Sequence, residues 1–174
     1  MPSASTYEPI AHTALGSSTS TITFSNIPQT YTDLVLMMYA ADTAGNYFSN
    51  IQIRFNGQTV GTNNSGSTLI GRATSAIGFE LNNRDGVWGG YVSAISGHFS
   101  NARVDIMSYS QSDTYKAILY RASLGVYDVI GAPVVEHGVN SYRDQNAITS
   151  MVITVASTGL AGSQFTLYGI RAAS

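Results

Sequence analysis

Apolar and polar residues alternate with a period of two through most of this chain, and Gly, Asn, Asp or Ser breaks the pattern every few residues. Successive side chains of an extended strand point to opposite faces, so this rhythm prescribes short, half-buried strands. Thr21-Ile22-Thr23-Phe24 alternates and Asn26-Ile27-Pro28 ends it. Ile51, Ile53 and Phe55 share a face, as do Met151, Ile153 and Val155, and Phe165 and Leu167. In 103–109, Val104 and Ile106 point inward and Asp105 is their solvent-face neighbour. The apolar run 34–41 reads as a strand buried on both faces. Further strands are expected at 68–72 (a short edge strand), 75–81, 87–95 and 115–124. Asn56-Gly57 is a strong hairpin signal, because a type I′ turn needs positive φ at both central residues; the return strand would be 58–62. Segments 61–67 and 82–86 have loop and turn composition. No window carries an amphipathic helical stripe; Pro28 to Asp33 is the one place for a short helical turn.

About ten short strands at this spacing make an all-β, single-domain antiparallel β-sandwich. Its 174 residues suit one domain. The expected division is an N-terminal arm at 1–6, the sandwich at 7–172 and a C-terminal tail at 173–174. No repeat of fixed period supports a solenoid or propeller.

Composition narrows the function. Only 10% of residues are charged, while 39 are Ser or Thr, against about 25% charged in an average domain. With 44% apolar residues and a net charge of −2, disorder is excluded. Eight basic against ten acidic residues provide no electrostatic footprint for nucleic acid. The absence of Cys removes disulfides, thiolate nucleophiles and cysteine-based zinc sites. No apolar run approaches membrane-span length. Met1 to Thr6 has neither a basic nor an apolar region, so no signal peptide is expected.

Motifs for chemistry are equally scarce. His12, His98 and His137 show no metal-binding spacing, and adjacent Glu136 and His137 would face opposite sides of a strand. No two carboxylates stand out as a glycosidase pair. There is no Gly-x-Ser-x-Gly elbow and no phosphate-binding glycine loop. Asn63-Asn64-Ser65 matches a glycosylation acceptor but, without a signal peptide, reads as incidental. The expectation is a protein that is not an enzyme, with no catalytic residue, cofactor or metal. Aromatics carry more weight: 11 Tyr accompany 6 Phe and a single Trp. Such rings, half apolar and half polar, suit interfaces or sugar stacking. Trp88, flanked by Gly86 and Gly89, together with Tyr47, Tyr91 and Tyr142, are the candidate interface or glycan contacts.

Three segments carry a family resemblance. Tyr7-Glu8-Pro9-Ile10-Ala11 and the stretch from Ser20 to Leu36 open the chain. Arg54-Phe55-Asn56-Gly57 lies near its centre, and Ala147-Ile148-Thr149-Ser150 with Phe165-Thr166-Leu167-Tyr168-Gly169-Ile170 closes it. Together they resemble a family of small virion structural proteins of tailed, largely aquatic, phages; about 71–143 carries no matching motif. The resemblance implies a jelly-roll sandwich on a phage particle, assembled in the host cytoplasm. It leaves capsid and tail both open; the first reading is a capsid decoration (cement) protein, a homotrimer bound non-covalently to capsid or other virion proteins. The alternative is a tail-fibre or receptor-binding domain for host glycan. Neither nucleic acid nor membrane is an expected partner.

Overall fold

The structure, a computed structural model, describes residues 6–43, 45, 47–58, 63–72, 75–95, 97–125 and 133–171. These residues form twelve strands and no helix: β1 (Tyr7–Ala14), β2 (Thr19–Phe24), β3 (Asp33–Ala40), β4 (Phe48–Phe55), β5 (Asn64–Arg72), β6 (Ser75–Arg84), β7 (Val87–Ser93), β8 (Ser100–Ile106), β9 (Lys116–Leu124), β10 (Val134–Tyr142), β11 (Met151–Gly159) and β12 (Gln164–Ile170). They build an eight-stranded sheet, β1-β12-β3-β8-β9-β10-β5-β6, and a four-stranded sheet, β2-β11-β4-β7. The paired strands run antiparallel, making a single-domain β-sandwich.

The strand order is that of a jelly roll with an extension. The pairs β1/β2, β12/β11, β3/β4 and β8/β7 each send one strand to either sheet and stand side by side in the same sequence in both. Strands β9, β10, β5 and β6 then widen the larger sheet beyond β8. β1 pairs with β12, so the first and last strands are neighbours.

The core lies where the inner faces meet. Leu34, Leu36 and Met38 of β3, Val104 and Ile106 of β8, and Phe165 and Leu167 of β12 pack against Ile51, Ile53 and Phe55 of β4 and Met151, Ile153 and Val155 of β11. Each such side chain, fully buried, contributes about 1.5–3 kcal/mol. A smaller cluster of Ile70, Leu124 and Val134, with Phe48, Phe79 and Tyr91 against it, lies beneath the extension.

Several local expectations change. β3 is buried on both faces only over Leu34 to Leu36; further along, Met37 and Tyr39 on the outer side of the large sheet are exposed. Asn56 and Gly57 do adopt positive φ (53° and 70°), and the Gln58 N–H donates to the Phe55 carbonyl at 3.0 Å. β4 is paired on one side by β11 and on the other by β7, and β5 belongs to the other sheet. Residues 59–62 of the expected return strand lie outside the described residues. β5 is flanked by β10 and β6 rather than forming an edge. Residues 28–32 form bends leading into β3, which begins at Asp33, and not a helical turn. Of the expected arm and tail, 1–5 and 173–174 lie outside the described residues. β10 is a strand that the alternation did not indicate.

Candidate functional site

The four candidate aromatics go to different places. Trp88 and Tyr91, both half-buried on β7, meet edge to face with centroids 5.2 Å apart, and Tyr91 meets Phe48 at 4.5 Å. Tyr47 is exposed just before β4. Tyr142 is buried in the core, 5.1 Å from the Phe55 ring, so it is not available as a surface ring. Its hydroxyl lies 3.2 Å from Asp144 Oδ2. Burial, together with the Asp144 charge, pushes that phenol up to about 12. The structure thus brings Trp88 and Tyr91 together and separates Tyr142 from them.

Trp88 and Tyr91 gather around a residue that the sequence brought up only as a neighbour of His137. Glu136 on β10 is completely buried. Its Oε1 accepts from Trp88 Nε1 at 2.7 Å and from the Tyr120 hydroxyl at 2.8 Å, with Thr68 Oγ1 at 3.2 Å. Its Oε2 accepts from the Tyr91 backbone N–H at 2.9 Å. Four positions along β10, Asn140 accepts from the Trp88 N–H at 3.2 Å and donates to the Trp88 carbonyl at 3.0 Å. β7 ends the small sheet, so these groups would otherwise be an unpaired strand edge. Two inward side chains of the large sheet supply what a neighbouring strand would. Burial and the Glu136 charge raise the Tyr120 phenol far above its ordinary value. A glycine of β7 serves this edge too. Gly90, at φ +99°, follows a bulge opposite Ile51 and Gln52, and a β-carbon there would lie 2.6 Å from that of Ala122. With its carboxylate sealed from water and filled with donors, the cluster is a junction between sheets.

A second buried charge closes the opposite end of β9. Lys116 Nζ donates to the carbonyls of Gln111 (2.7 Å), Thr114 (2.6 Å) and Gln145 (3.0 Å). Burial lowers its pKa, against the opposing pull of Asp144 and Asp113. Lys116 fastens the β8–β9 loop to the chain leading into β11.

The histidines stay apart: His12 Nδ1 lies 2.9 Å from Thr166 Oγ1 on the next strand, His98 lies outside the strands, and His137 is exposed on β10. As their alternation required, Glu136 and His137 face opposite sides. Among the described residues no three His, Asp or Glu side chains are grouped to hold a metal.

The accessible site is the outer face of the large sheet. Met37, Leu69, Leu119, Val135 and Val139 are 44–56% exposed there, a band crossing β3, β9, β10 and β5. One transverse row places Met37, Arg103, Arg121, His137 and Leu69 in direct cross-strand register. A second row places Asp105, Leu119 and Val139 together. Two adjoining depressions, of about 340 Å³ and 790 Å³, both include Arg103, Arg121 and His137 in their walls. Arg103 is neutralised by Asp105, with Nη2–Oδ1 at 2.6 Å and Nε–Oδ2 at 3.0 Å. Among the described residues, the Arg121 side chain forms no ion pair or hydrogen bond. This face was readable in part: Arg121 and Leu119 share a side by simple alternation. Its neighbours depended on a strand order that no local pattern carries.

Comparison with known proteins finds no matching family model, no similar curated protein and no similar solved structure.

Proposed function

We propose that this chain is a structural protein of a tailed-phage particle. It acts as a capsid decoration protein that binds neighbouring virion subunits through non-covalent contacts as a symmetric homo-oligomer. The observation that carries the reading is the exposed apolar band on the outer face of the large sheet. Exposed apolar side chains gathered on one sheet face around Arg103, Arg121 and His137 suit an interaction site. A broad, rigid sheet face lends itself to many modest contacts multiplied by symmetry. The resemblance of segments near both ends and the centre of the chain to phage virion proteins suggests the setting. Recognition of host glycan by a tail protein is the weaker reading. Of the four aromatics that could stack on sugar, Tyr142 is buried, the Trp88 indole N–H is held by Glu136, and the Tyr91 ring packs edge to face on Trp88 and Phe48. Quantitative mass spectrometry of purified virions tests the proposal. Hundreds of copies per particle are expected; fewer than about fifty would overturn it, since icosahedral decoration uses larger multiples.

A further inference from the structure

We infer that the groove on the outer sheet face binds an extended acidic–apolar segment of a neighbouring polypeptide, its carboxylate seated on Arg121. The inference rests on reading this face as an assembly surface and adds the chemistry of the partner.

Charge selects the occupant. Arg103 and Arg121 stand directly opposite one another on β8 and β9, an arrangement that destabilises a sheet unless counter-charge is near. Asp105 provides it for Arg103 alone, from two residues along the same strand. Arg121 is left as an exposed guanidinium in register with His137 and bordered by Leu119 and Val139. A guanidinium offers a planar fork that a carboxylate fills with two parallel hydrogen bonds. Face-to-face pairing of two copies about this centre would bring Arg121 against Arg121, so a second copy fits poorly.

Spacing selects an extended chain. The Arg121 row and the Leu119–Val139 row are two residues apart along the strands, as are the Arg121 row and the row containing Val135. Two residues of strand span roughly 6.4–6.8 Å. An extended segment lying along β9 and β10 has the same repeat. The pattern apolar-x-Asp/Glu-x-apolar therefore places its carboxylate over Arg121 and an apolar side chain in each depression. β9 and β10 are paired on both edges, so the contact is made by side chains over the sheet face and not by strand addition.

The test uses the full chain and two synthetic peptides, one with a valine-x-glutamate-x-valine core and one with lysine replacing the glutamate. Binding is followed by backbone amide shifts in nuclear magnetic resonance. Shifts centred on Leu69, Leu119, Arg121 and Val139 are expected with the glutamate peptide. The lysine peptide should bind about 30-fold more weakly, and Arg121→Glu should reverse the preference. Equal binding of both peptides, shifts elsewhere on the molecule, or no binding overturns the inference. So does self-association abolished by Arg121→Glu, which would make the occupant a second copy. Sedimentation with virions lacking the protein separates the two levels. Attachment that survives Arg121→Glu but is lost in Val139→Asp overturns the carboxylate partner and leaves the assembly reading standing. No attachment by the unmodified chain overturns the assembly reading, while the peptide result is judged independently.

Discussion

The ring of Tyr120 occupies the space that a β-carbon on Gly138 would need. Built there, that carbon would fall 2.2–2.6 Å from ring and hydroxyl atoms of Tyr120. Gly138 lets Tyr120 cross from β9 over β10, and Tyr120 thereby reaches Glu136 and Thr68. Gly138→Ala should destabilise the fold by about 1–3 kcal/mol through overpacking. Tyr120→Phe keeps the ring but removes a donor from a buried carboxylate and should cost about 1–2 kcal/mol. The two should not add, since either change disturbs the same contact. Urea midpoints of the single and double variants measure this.

Glu136 is the acceptor on which the β7 edge depends. Glu136→Ala strands the Trp88 indole N–H and the Tyr91 backbone N–H in a dry interior, at a cost of about 3–5 kcal/mol. Glu136→Gln preserves the shape but turns a donor toward donors, with an expected loss of about 2 kcal/mol. Trp88 is the only tryptophan, so its fluorescence reports this junction directly. A red-shifted native emission is expected for Glu136→Ala, together with an earlier unfolding midpoint.

Alkaline pH should weaken the fold through its buried phenols. Burial raises the pKa values of Tyr109, Tyr120 and Tyr142, the last from its ordinary 10.0 to about 12. Above pH 10 the unfolded chain releases these protons while the folded chain holds them, so the unfolded state binds fewer. Stability is then fully present below pH 10 and falls as the pH rises toward 12. Lys116, with a lowered folded pKa, acts in the opposite sense, but its window closes at its ordinary 10.5. Urea midpoints should therefore fall between pH 10.5 and 12, and less steeply in Tyr142→Phe. Tyrosinate absorbance provides an independent record of the same titration.

The exposed apolar band should be dispensable for folding and required for attachment. Val139→Asp and Leu119→Lys alter exposed side chains on the outer face, so each should shift stability by no more than about 0.5 kcal/mol. Both should reduce the amount of protein sedimenting with virions. Thermal unfolding and particle co-sedimentation, measured on the same preparations, separate the two effects.

Strands that cover the core on one side were legible, because a single buried face stamps the period of two on the sequence. Ile51, Ile53 and Phe55 are such a case, and so are Met151, Ile153 and Val155. β10 was illegible for a physical reason. Three of its inward positions hold Glu136, Gly138 and Asn140, none of them apolar, because they serve the β7 edge and the Tyr120 crossing. Tyr142 misled in the opposite direction: its polar tip suggested a surface, but the hydroxyl reaches Asp144 while the ring lies in the core. The Arg103–Arg121–His137 row was hidden because cross-strand neighbours far apart in the sequence leave no local trace.

The position of the last two strands governs how the molecule comes into being. β12 lies between β1 and β3, and β11 between β2 and β4. Strands β1 to β4 therefore have as partners strands that lie about a hundred residues or more further along the chain, and neither sheet can close until β11 and β12 have left the ribosome. Such long-range pairing gives slow folding, on a scale of roughly milliseconds to seconds, and leaves β1 to β4 without those partners throughout translation. A nascent chain stopped before Met151 lacks the strand that joins β1 to β3 in one layer and β2 to β4 in the other, so β1 and β2 have no sheet to belong to until β11 and β12 are made.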